Sequence, residues 1–279
     1  MAAHVIRKFA VTDSTNRQAA ALLRQGAEGE ISNLHQVSWV IADRQTAGRG
    51  RLARTWVSEP GNLYATAIVP ADPNLSAAAY PLLSGLAVAD TVMHFSNAPD
   101  IKLKWPNDVF AGDAKVSGIL IETVDDAHVA YEPGRYLLIG IGINVASSPK
   151  VEGRATTSIT QIIRYADALS GAVAVSSVLE TLDKNLSFWL GRAASAGLDH
   201  IVSAWNDRAY GVGREARFQL SNKTQSGIFL GISDDGAARF RQPDGKHVLA
   251  YAGDLVFVAD GDRLDEQHSE AEQVDAAGD

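Results

Sequence analysis

The run Leu137-Leu138-Ile139-Gly140-Ile141-Gly142-Ile143-Asn144-Val145 constrains this chain more than any other stretch. It is a near-continuous apolar strand, too short for a long helix and too apolar for a sheet edge. It therefore predicts a central strand covered on both faces, with the remaining elements arranged around it. Gly140, Gly142 and Asn144 share one face by period-2 alternation. Two positions without side chains followed by an amide suggest a groove floor with one polar contact at its end. Close packing of a helix on the same glycines is the alternative.

Other runs supply partners for that strand. One strand is expected around Val5–Phe9, another over Val37–Ala42 and a third over Asn62–Val69. Ile101–Phe110 reads as a single strand with an irregularity at Pro106, because proline cannot donate to a ladder. The turn Ala111-Gly112-Asp113-Ala114 then leads into a returning strand, Lys115–Thr123. Alternation in that strand puts Val116, Gly118 and Leu120 on one face and Lys115 on the other.

Helices are expected from Asp13-Ser14-Thr15-Asn16, which offers N-caps, through Ala19, Ala20, Leu22 and Leu23 to a C-cap at Gly26. Leu75–Phe95 reads as mostly helical, interrupted or restarted near Pro81. Thr156–Leu169, Ala172–Leu190 and Leu198–Arg208 also read as helices. Beyond Tyr210-Gly211-Val212-Gly213 the pattern shifts to short alternating runs at 215–220, 227–232, 237–241, 247–251 and 255–258. Such spacing predicts a small β-barrel. The fold class is thus α+β: a mixed, mainly antiparallel sheet covered by helices, then a small barrel. The expected domains are 1–210 and 211–260, followed by a disordered acidic tail, 261–279.

Charge is unevenly distributed. The chain of 279 residues has a net charge of −8, but residues 260–279 carry eight acids and one arginine, leaving −1 for the remainder. No broad basic surface is available for nucleic acid. There are no cysteines, which removes disulfides and cysteine–zinc sites and fits a cytoplasmic enzyme. No signal-peptide core or membrane-length apolar run is present, so no membrane partner is expected. The seven histidines are scattered without metal-ligand spacing, and no metal ligands are assigned. A P-loop and a nucleophile elbow are both lacking, and Gly140-Ile141-Gly142 lacks the third glycine and following helix of a dinucleotide site.

Against that neutral background, Gly48-Arg49-Gly50-Arg51-Leu52-Ala53-Arg54-Thr55-Trp56 stands out. Glycine gives the loop backbone freedom, and arginine forks match phosphate and carboxylate. A solvated basic loop is the plainer reading. Arg49, Arg51, Arg54, Lys104 and Lys115 could ring an apolar, glycine-floored groove, although both lysines also suit solvated strand ends. Such a ring suits a carboxylate attacking the α-phosphate of a nucleotide. The carboxylate is already ionised at pH 7, so the catalytic task is to bring two anions together.

These blocks, in order, resemble the biotin protein ligases (biotin–[acetyl-CoA-carboxylase] ligases). The resemblance rests on Asp13-Ser14-Thr15-Asn16; on Gln45 with Gly48-Arg49-Gly50-Arg51, Arg54 and Trp56; and on Lys104-Trp105-Pro106-Asn107-Asp108. It continues through Lys115, Gly118-Ile119-Leu120 and Glu122, then Gly140-Ile141-Gly142-Ile143-Asn144, and covers roughly residues 3–260. It implies a class II synthetase-like catalytic fold with an SH3-like C-terminal domain. It also implies a two-step reaction. Biotin and MgATP give biotinyl-5′-AMP and pyrophosphate, then biotin passes to one lysine of a biotin carboxyl carrier domain.

By that resemblance Ser14, Thr15, Asn16 and Gln45 bind biotin, together with Gly48, Arg49, Gly50, Arg51, Lys115, Gly118, Leu120, Gly140 and Gly142. Arg51, Arg54, Trp56, Asn107, Lys115 and Asn144 bind ATP. Lys115, Arg49 and Arg51 serve the chemistry. For Lys115 to do so, the strand must start irregularly or the side chain must curl over its edge. Asp108 is expected to orient the acceptor lysine or take its proton, a turn cap or an ion pair with Lys104 or Lys115 being the structural alternative. Many bacterial relatives carry an N-terminal winged helix, whereas this chain starts at the catalytic domain. The expectation is a ligase without DNA as a partner. Assembly stays open between a monomer and a homodimer. A lipoate–protein ligase or octanoyltransferase of the same fold and a non-catalytic biotin sensor are the competing functions.

Overall fold

The computed structural model describes residues 4–25, 37–96, 100–124, 136–163, 173–220 and 223–258. Two compact units are present, one formed by 1–210 with 234–236 and one by 211–233 with 237–279.

The first unit is built on a seven-stranded sheet. Its strands are β1 (His4–Phe9), β2 (Ser38–Ala42), β3 (Leu63–Pro70), β4 (Ile101–Lys104), β5 (Asp108–Ala111), β6 (Ala114–Thr123) and β7 (Tyr136–Ile143). The order is β1-β2-β3-β7-β6-β5-β4; only β1 and β2 run parallel among these neighbours. The apolar run at 137–145 thus supplies the middle strand of the seven, flanked by β3 and β6, and Leu138, Ile139, Ile141 and Ile143 are all buried.

The two faces have different coverings. On one face the register lines up Val40, Thr66, Gly140 and Leu120 across four strands, and Tyr64, Gly142, Gly118 and Asp108 across the next rung. Helix α1 (Thr15–Arg24) lies on this side. Its Ala19, Leu22 and Leu23 sit at i, i+3 and i+4 and pack with Val40, Ile68, Tyr136 and Leu138. Burial of each leucine contributes roughly 1.5–3 kcal/mol. The opposite face presents Trp39, Ala67 and Ile139 to helix α4 (Val175–Ala196), whose Asp183 accepts a 2.7 Å hydrogen bond from the Trp39 indole. Helix α2 (Ala79–Ser96) packs on α4, on α5 (Leu198–Asn206), on the short α3 (Ile159–Ile163) and on β4, β5 and β6.

Several expectations need correction. Ile101–Phe110 is not one strand but two, β4 and β5, which turn at residues 105–107 and pair antiparallel from Lys104↔Asp108 to Ile101↔Ala111. Ile101, Leu103, Trp105 and Val109 keep one alternation phase on both sides of the turn, broken only at Asn107, so a periodicity reading runs straight across it. Of the helix expected over Leu75–Phe95, residues 75–78 are not helical: α2 starts at Ala79, so the chain begins its helix near Pro81 and is not interrupted there, the proline lying in the first turn where no intrahelical N–H bond is lost. Ser14 occupies the N-cap of α1 but makes no side-chain cap bond; the Thr15 N–H instead donates to Gln45 Oε1 at 2.8 Å. Of the helix expected at 156–169 the described part is helical only over Ile159–Ile163; residues 164–169, the expected cap at Gly26 and the tail beyond 258 lie outside the described residues.

The second unit is a five-stranded antiparallel sheet, ordered β11-β10-β9-β8-β12. Its strands are β8 (Glu215–Leu220), β9 (Lys223–Ile232), β10 (Ala238–Arg241), β11 (His247–Ala250) and β12 (Val256–Phe257). Phe218 stacks on Phe240 at 3.7 Å between ring centres, and Phe229 packs beside them.

Candidate active site

The site begins where the chain leaves two parallel strands. Thr12 pairs with Gln45 beyond the ends of β1 and β2, and the N–H groups of Thr46 and Ala47 donate to the Thr12 and Asp13 carbonyls at 2.8 and 2.9 Å. This stitching sets the start of α1 beside the segment that leads into the basic loop. Gln45 Oε1 accepts from the Thr15 N–H, with the Thr15 hydroxyl 3.3 Å away, and Gln45 Nε2 donates to Ser58 Oγ at 3.2 Å.

Thr66, fully buried on β3, closes the network. Its hydroxyl lies 2.6 Å from Asn16 Oδ1 and 2.8 Å from Thr15 Oγ1. Asn16 Oδ1 can only accept, so Thr66 gives its one proton there, and in the Thr66–Thr15 contact the Thr15 hydroxyl is the donor. Asn16 Nδ2 donates to the Leu120 carbonyl at 3.3 Å and to Glu122 Oε2 at 2.7 Å. Asn16 is therefore engaged at both ends by the protein itself. Gly140 is bare because Asn16 lies over it: a Cβ at Gly140 would collide with the Asn16 amide. Here the helix-packing reading of the glycine holds.

Beside this network, Asp13 accepts from the Ser14 N–H at 2.6 Å, the Gln18 amide at 3.0 Å and the Arg17 guanidinium. Burial works to raise its pKa, but these donors and the Arg17 charge outweigh it and hold the carboxyl at about 2. The neighbouring Tyr64 donates to the Glu59 carbonyl at 2.7 Å, and burial pushes its phenol up to about 12.

The basic loop is a small hairpin. Trp56 N–H donates to Gly48 O at 2.9 Å, Arg49 pairs with Thr55, and Gly50 N–H donates to Arg54 O at 2.7 Å. Gly48 must be glycine for steric reasons, because a Cβ would lie 2.5 Å from the Trp56 carbonyl oxygen. At the tip, Arg51–Ala53 makes a 3-10 turn in which Leu52 (φ 54) and Ala53 (φ 57) are both left-handed. That conformation costs an L-residue roughly 1–2 kcal/mol. Among the described residues, Arg49 and Arg51 reach from the hairpin to the sheet: Arg49 Nη2 donates to Glu122 Oε2 at 3.0 Å, and Arg51 Nη1 approaches Asn107 Oδ1 at 3.5 Å. Arg54 closes the turn and is exposed.

Trp56 lies over the sheet. A Cβ at Gly142 would be 2.5 Å from its indole ring, and one at Gly118 would be 2.9 Å away. The indole Nε1 is buried and has no hydrogen-bond partner among the described residues. An unpaired buried donor costs about 1–3 kcal/mol, so a ligand acceptor or a shift of the ring would relieve it.

Lys115 is on the Gly118 side, against strict alternation. Val109 pairs with Ser117 and Phe110 with Lys115, so Val116 is one residue too many: a β-bulge. Val116 and Ser117 are both fully buried, and Val116 thereby leaves the face on which alternation put it. The Lys115 ammonium would lie 3.1 Å from a Cβ at Gly118; it sits 5.3 Å from the centre of the Trp56 ring and donates to Asp108 Oδ1 at 2.6 Å. The bulge is held from outside the hairpin: Asn144 N–H donates to Val116 O, while Lys115 exchanges backbone hydrogen bonds with Ala155 and Thr157.

The remaining positions sort themselves around this centre. Asn107 uses Nδ2 on the Ile119 carbonyl and accepts from Arg51. Asn144 is buried and donates to the Thr157 carbonyl at 3.0 Å. Lys104 lies 5.5 Å from the Phe110 ring, at the β4 side of the sheet. Among the described residues no group of three or more His, Asp or Glu side chains could hold a metal ion. The carboxylates at hand, Asp108 and Glu122, each already accept from a cation. No helix among the described residues is long and apolar enough to cross a membrane.

Thr66, Ser58 and Glu122 were not among the expected site residues. Thr66 carried a signal, as the lone polar residue within the run Leu63–Val69. Ser58 carried none.

The architecture and the cation–glycine centre define the class. Residues 9–144 match the biotin/lipoate A/B protein ligase family, and residues 211–258 match the biotin protein ligase C-terminal domain. A biotin–[acetyl-CoA-carboxylase] ligase of Paracoccus denitrificans is 32% identical over 247 residues, 88% of this chain and 97% of that one. The bifunctional ligase/repressor BirA of Bacillus subtilis is 30% identical over 250 residues, 88% of this chain and 71% of its own. Among solved structures, the Aquifex aeolicus biotin protein ligase in complex with biotin and ATP superposes with a TM-score of 0.74 at 25% identity, covering 91% of this chain and 98% of that one. The chain belongs to the biotin protein ligase family.

Proposed function

We propose that this chain activates biotin with MgATP and transfers it to one lysine of a biotin carboxyl carrier domain. In the first step a biotin carboxylate oxygen attacks the α-phosphorus of ATP. The bond to the β-phosphate breaks, giving biotinyl-5′-AMP and pyrophosphate. In the second, the neutral amine of the carrier lysine attacks the biotinyl carbonyl, AMP leaves with the bonding pair, and the amine loses a proton.

The observation that carries the proposal is the bulge at Val116, which brings Lys115 to the bare strand positions beside Trp56. A fixed ammonium there would offset the repulsion between carboxylate and α-phosphate, a preorganised electrostatic effect. In the proposed assignment Ser14, Thr15 and Gln45 face the biotin head, with Asn16 and Leu120 holding that end in shape. Arg49, Gly50 and Arg51 cover the acyl end, and Arg54, Trp56, Asn107 and Asn144 serve the nucleotide. Asp108, which accepts from Lys115 through Oδ1, would use Oδ2 to orient the acceptor ammonium.

The same proposal assigns 1–210 to catalysis, 211–260 to a small C-terminal domain and 261–279 to an acidic tail. It includes a cytoplasmic setting and no DNA partner, which the net charge of −8 and the absence of cysteine support. A homodimer is compatible with it. The test is pyrophosphate release on adding biotin and MgATP, followed by label transfer to a carrier domain, with lipoate as the competing substrate. Release with biotin and not lipoate is expected; release with lipoate alone would overturn the assignment.

A further inference from the structure

Glu122 lies four residues beyond Gly118, and no step of the proposed chemistry uses it. Yet one of its oxygens, Oε2, serves two donors from separate parts of the chain: Asn16 Nδ2 at the start of α1 (2.7 Å) and Arg49 Nη2 in the basic loop (3.0 Å). The side chain is half-buried, and that of Arg49 is 41% exposed. Its two partners differ in kind. Asn16 is locked by Thr66 and the Leu120 carbonyl and packs over Gly140. Arg49 belongs to a hairpin whose tip carries two left-handed L-residues. Such a hairpin is not favoured by its own backbone, so its closed form depends on what ties it to the sheet. Of the two ties described, the Arg51–Asn107 contact is long, 3.5 Å, and has a neutral acceptor, whereas Arg49–Glu122 is charge-assisted. Because Arg49 pairs with Thr55, fixing Arg49 fixes the base of the hairpin.

We propose that Glu122 is a positioning residue that latches the basic loop to the start of α1. Order at the biotin head end and closure of the loop are then coupled through one carboxylate. Glu122 itself touches no reacting atom. The consequence for catalysis rests on the ligase reading above, but the latch can be measured in the free protein.

The loop carries three trypsin sites, after Arg49, Arg51 and Arg54. The full chain and its Glu122→Gln variant are compared for cleavage at these sites, mapped by mass spectrometry, and for pyrophosphate release with biotin and MgATP. Gln keeps an acceptor for Asn16 but removes the charge that holds Arg49. A partly exposed ion pair of this kind predicts a rise of about two- to fivefold in loop cleavage. A similar rise in KM for biotin is expected, with kcat within about twofold of the parent. Arg49→Ala should raise cleavage after Arg51 and Arg54 by a similar factor, and Glu122→Gln should then add nothing further. Unchanged cleavage in Glu122→Gln, or full additivity of the two changes, overturns the latch. A fall in kcat with KM unchanged overturns the positioning role in favour of direct chemistry. A parent protein that releases no pyrophosphate sinks the ligase reading, and the cleavage comparison then decides the latch by itself.

Discussion

The two ends of one sheet face are built on opposite plans. At the α1 end, buried Thr15, Asn16 and Thr66 form a cross-bonded network with the half-buried Gln45. At the loop end, Trp56 covers two glycines with an unpaired indole N–H, and the hairpin above it turns through two left-handed L-residues. The first end is shaped before any ligand arrives, which lowers the ordering cost of binding. The second is complete only when something supplies an acceptor or moves the ring. On this view the rigid end governs affinity for one substrate, and the adaptable end governs the meeting of two.

The largest expected effect tests the second half of that contrast. Lys115→Ala should lower kcat for adenylate formation by on the order of 10²–10³-fold, as for loss of a preorganised charge at a transition state. Biotin affinity by calorimetry should change much less. Equal losses in both would erase the division of labour.

A pair of matched substitutions then compares the ends directly. Gly140→Ala drives a methyl into Asn16, which three hydrogen bonds hold in place. It should cost about 1–3 kcal/mol, or roughly 2–4 °C in Tm per kcal/mol for a chain of this size. Gly142→Ala meets Trp56, which can swing away. Its melting temperature should fall less, and its KM for ATP should rise. Similar melts for both would show the loop end to be as stiff as the other.

Acid sharpens the comparison from the rigid side. The Asp13 carboxyl at about 2 lies below its ordinary 3.8, so it contributes stability above pH 4 that is lost as the pH falls through 2. Urea midpoints at pH 5 and pH 2.5 should therefore differ more for the parent than for Asp13→Asn.

The smallest effect concerns the hairpin tip. Ala53→Gly removes a left-handed penalty of about 1–2 kcal/mol but adds about 0.4–1 kcal/mol of unfolded-state entropy. The net gain should be about 0 to 1.6 kcal/mol, seen as slower tryptic cleavage of the loop.

What could be read from the sequence follows the range over which each feature is determined. The central strand, the five short strands after 211 and the apolar face of α1 are local patterns, and they fold as the residues suggest. The β4–β5 turn hides because Ile101, Leu103, Trp105 and Val109 keep the same alternation phase before and after it. The bulge at Val116 hides because its supports, Asn144, Ala155 and Thr157, lie about 30 to 40 residues away along the chain. The glycines advertised a close approach, but what approaches them, Asn16 and Trp56, comes from elements fixed only by the tertiary fold.

Val116 makes the register of β6 a setting for the whole centre. If the strand instead paired evenly, with Val116 opposite Phe110, the lysine would turn to the face away from the bare glycines. A slip that improves the sheet would disable the centre. The backbone at Ala155 and Thr157 therefore guards the chemistry from a distance, by holding one strand in its less regular pairing.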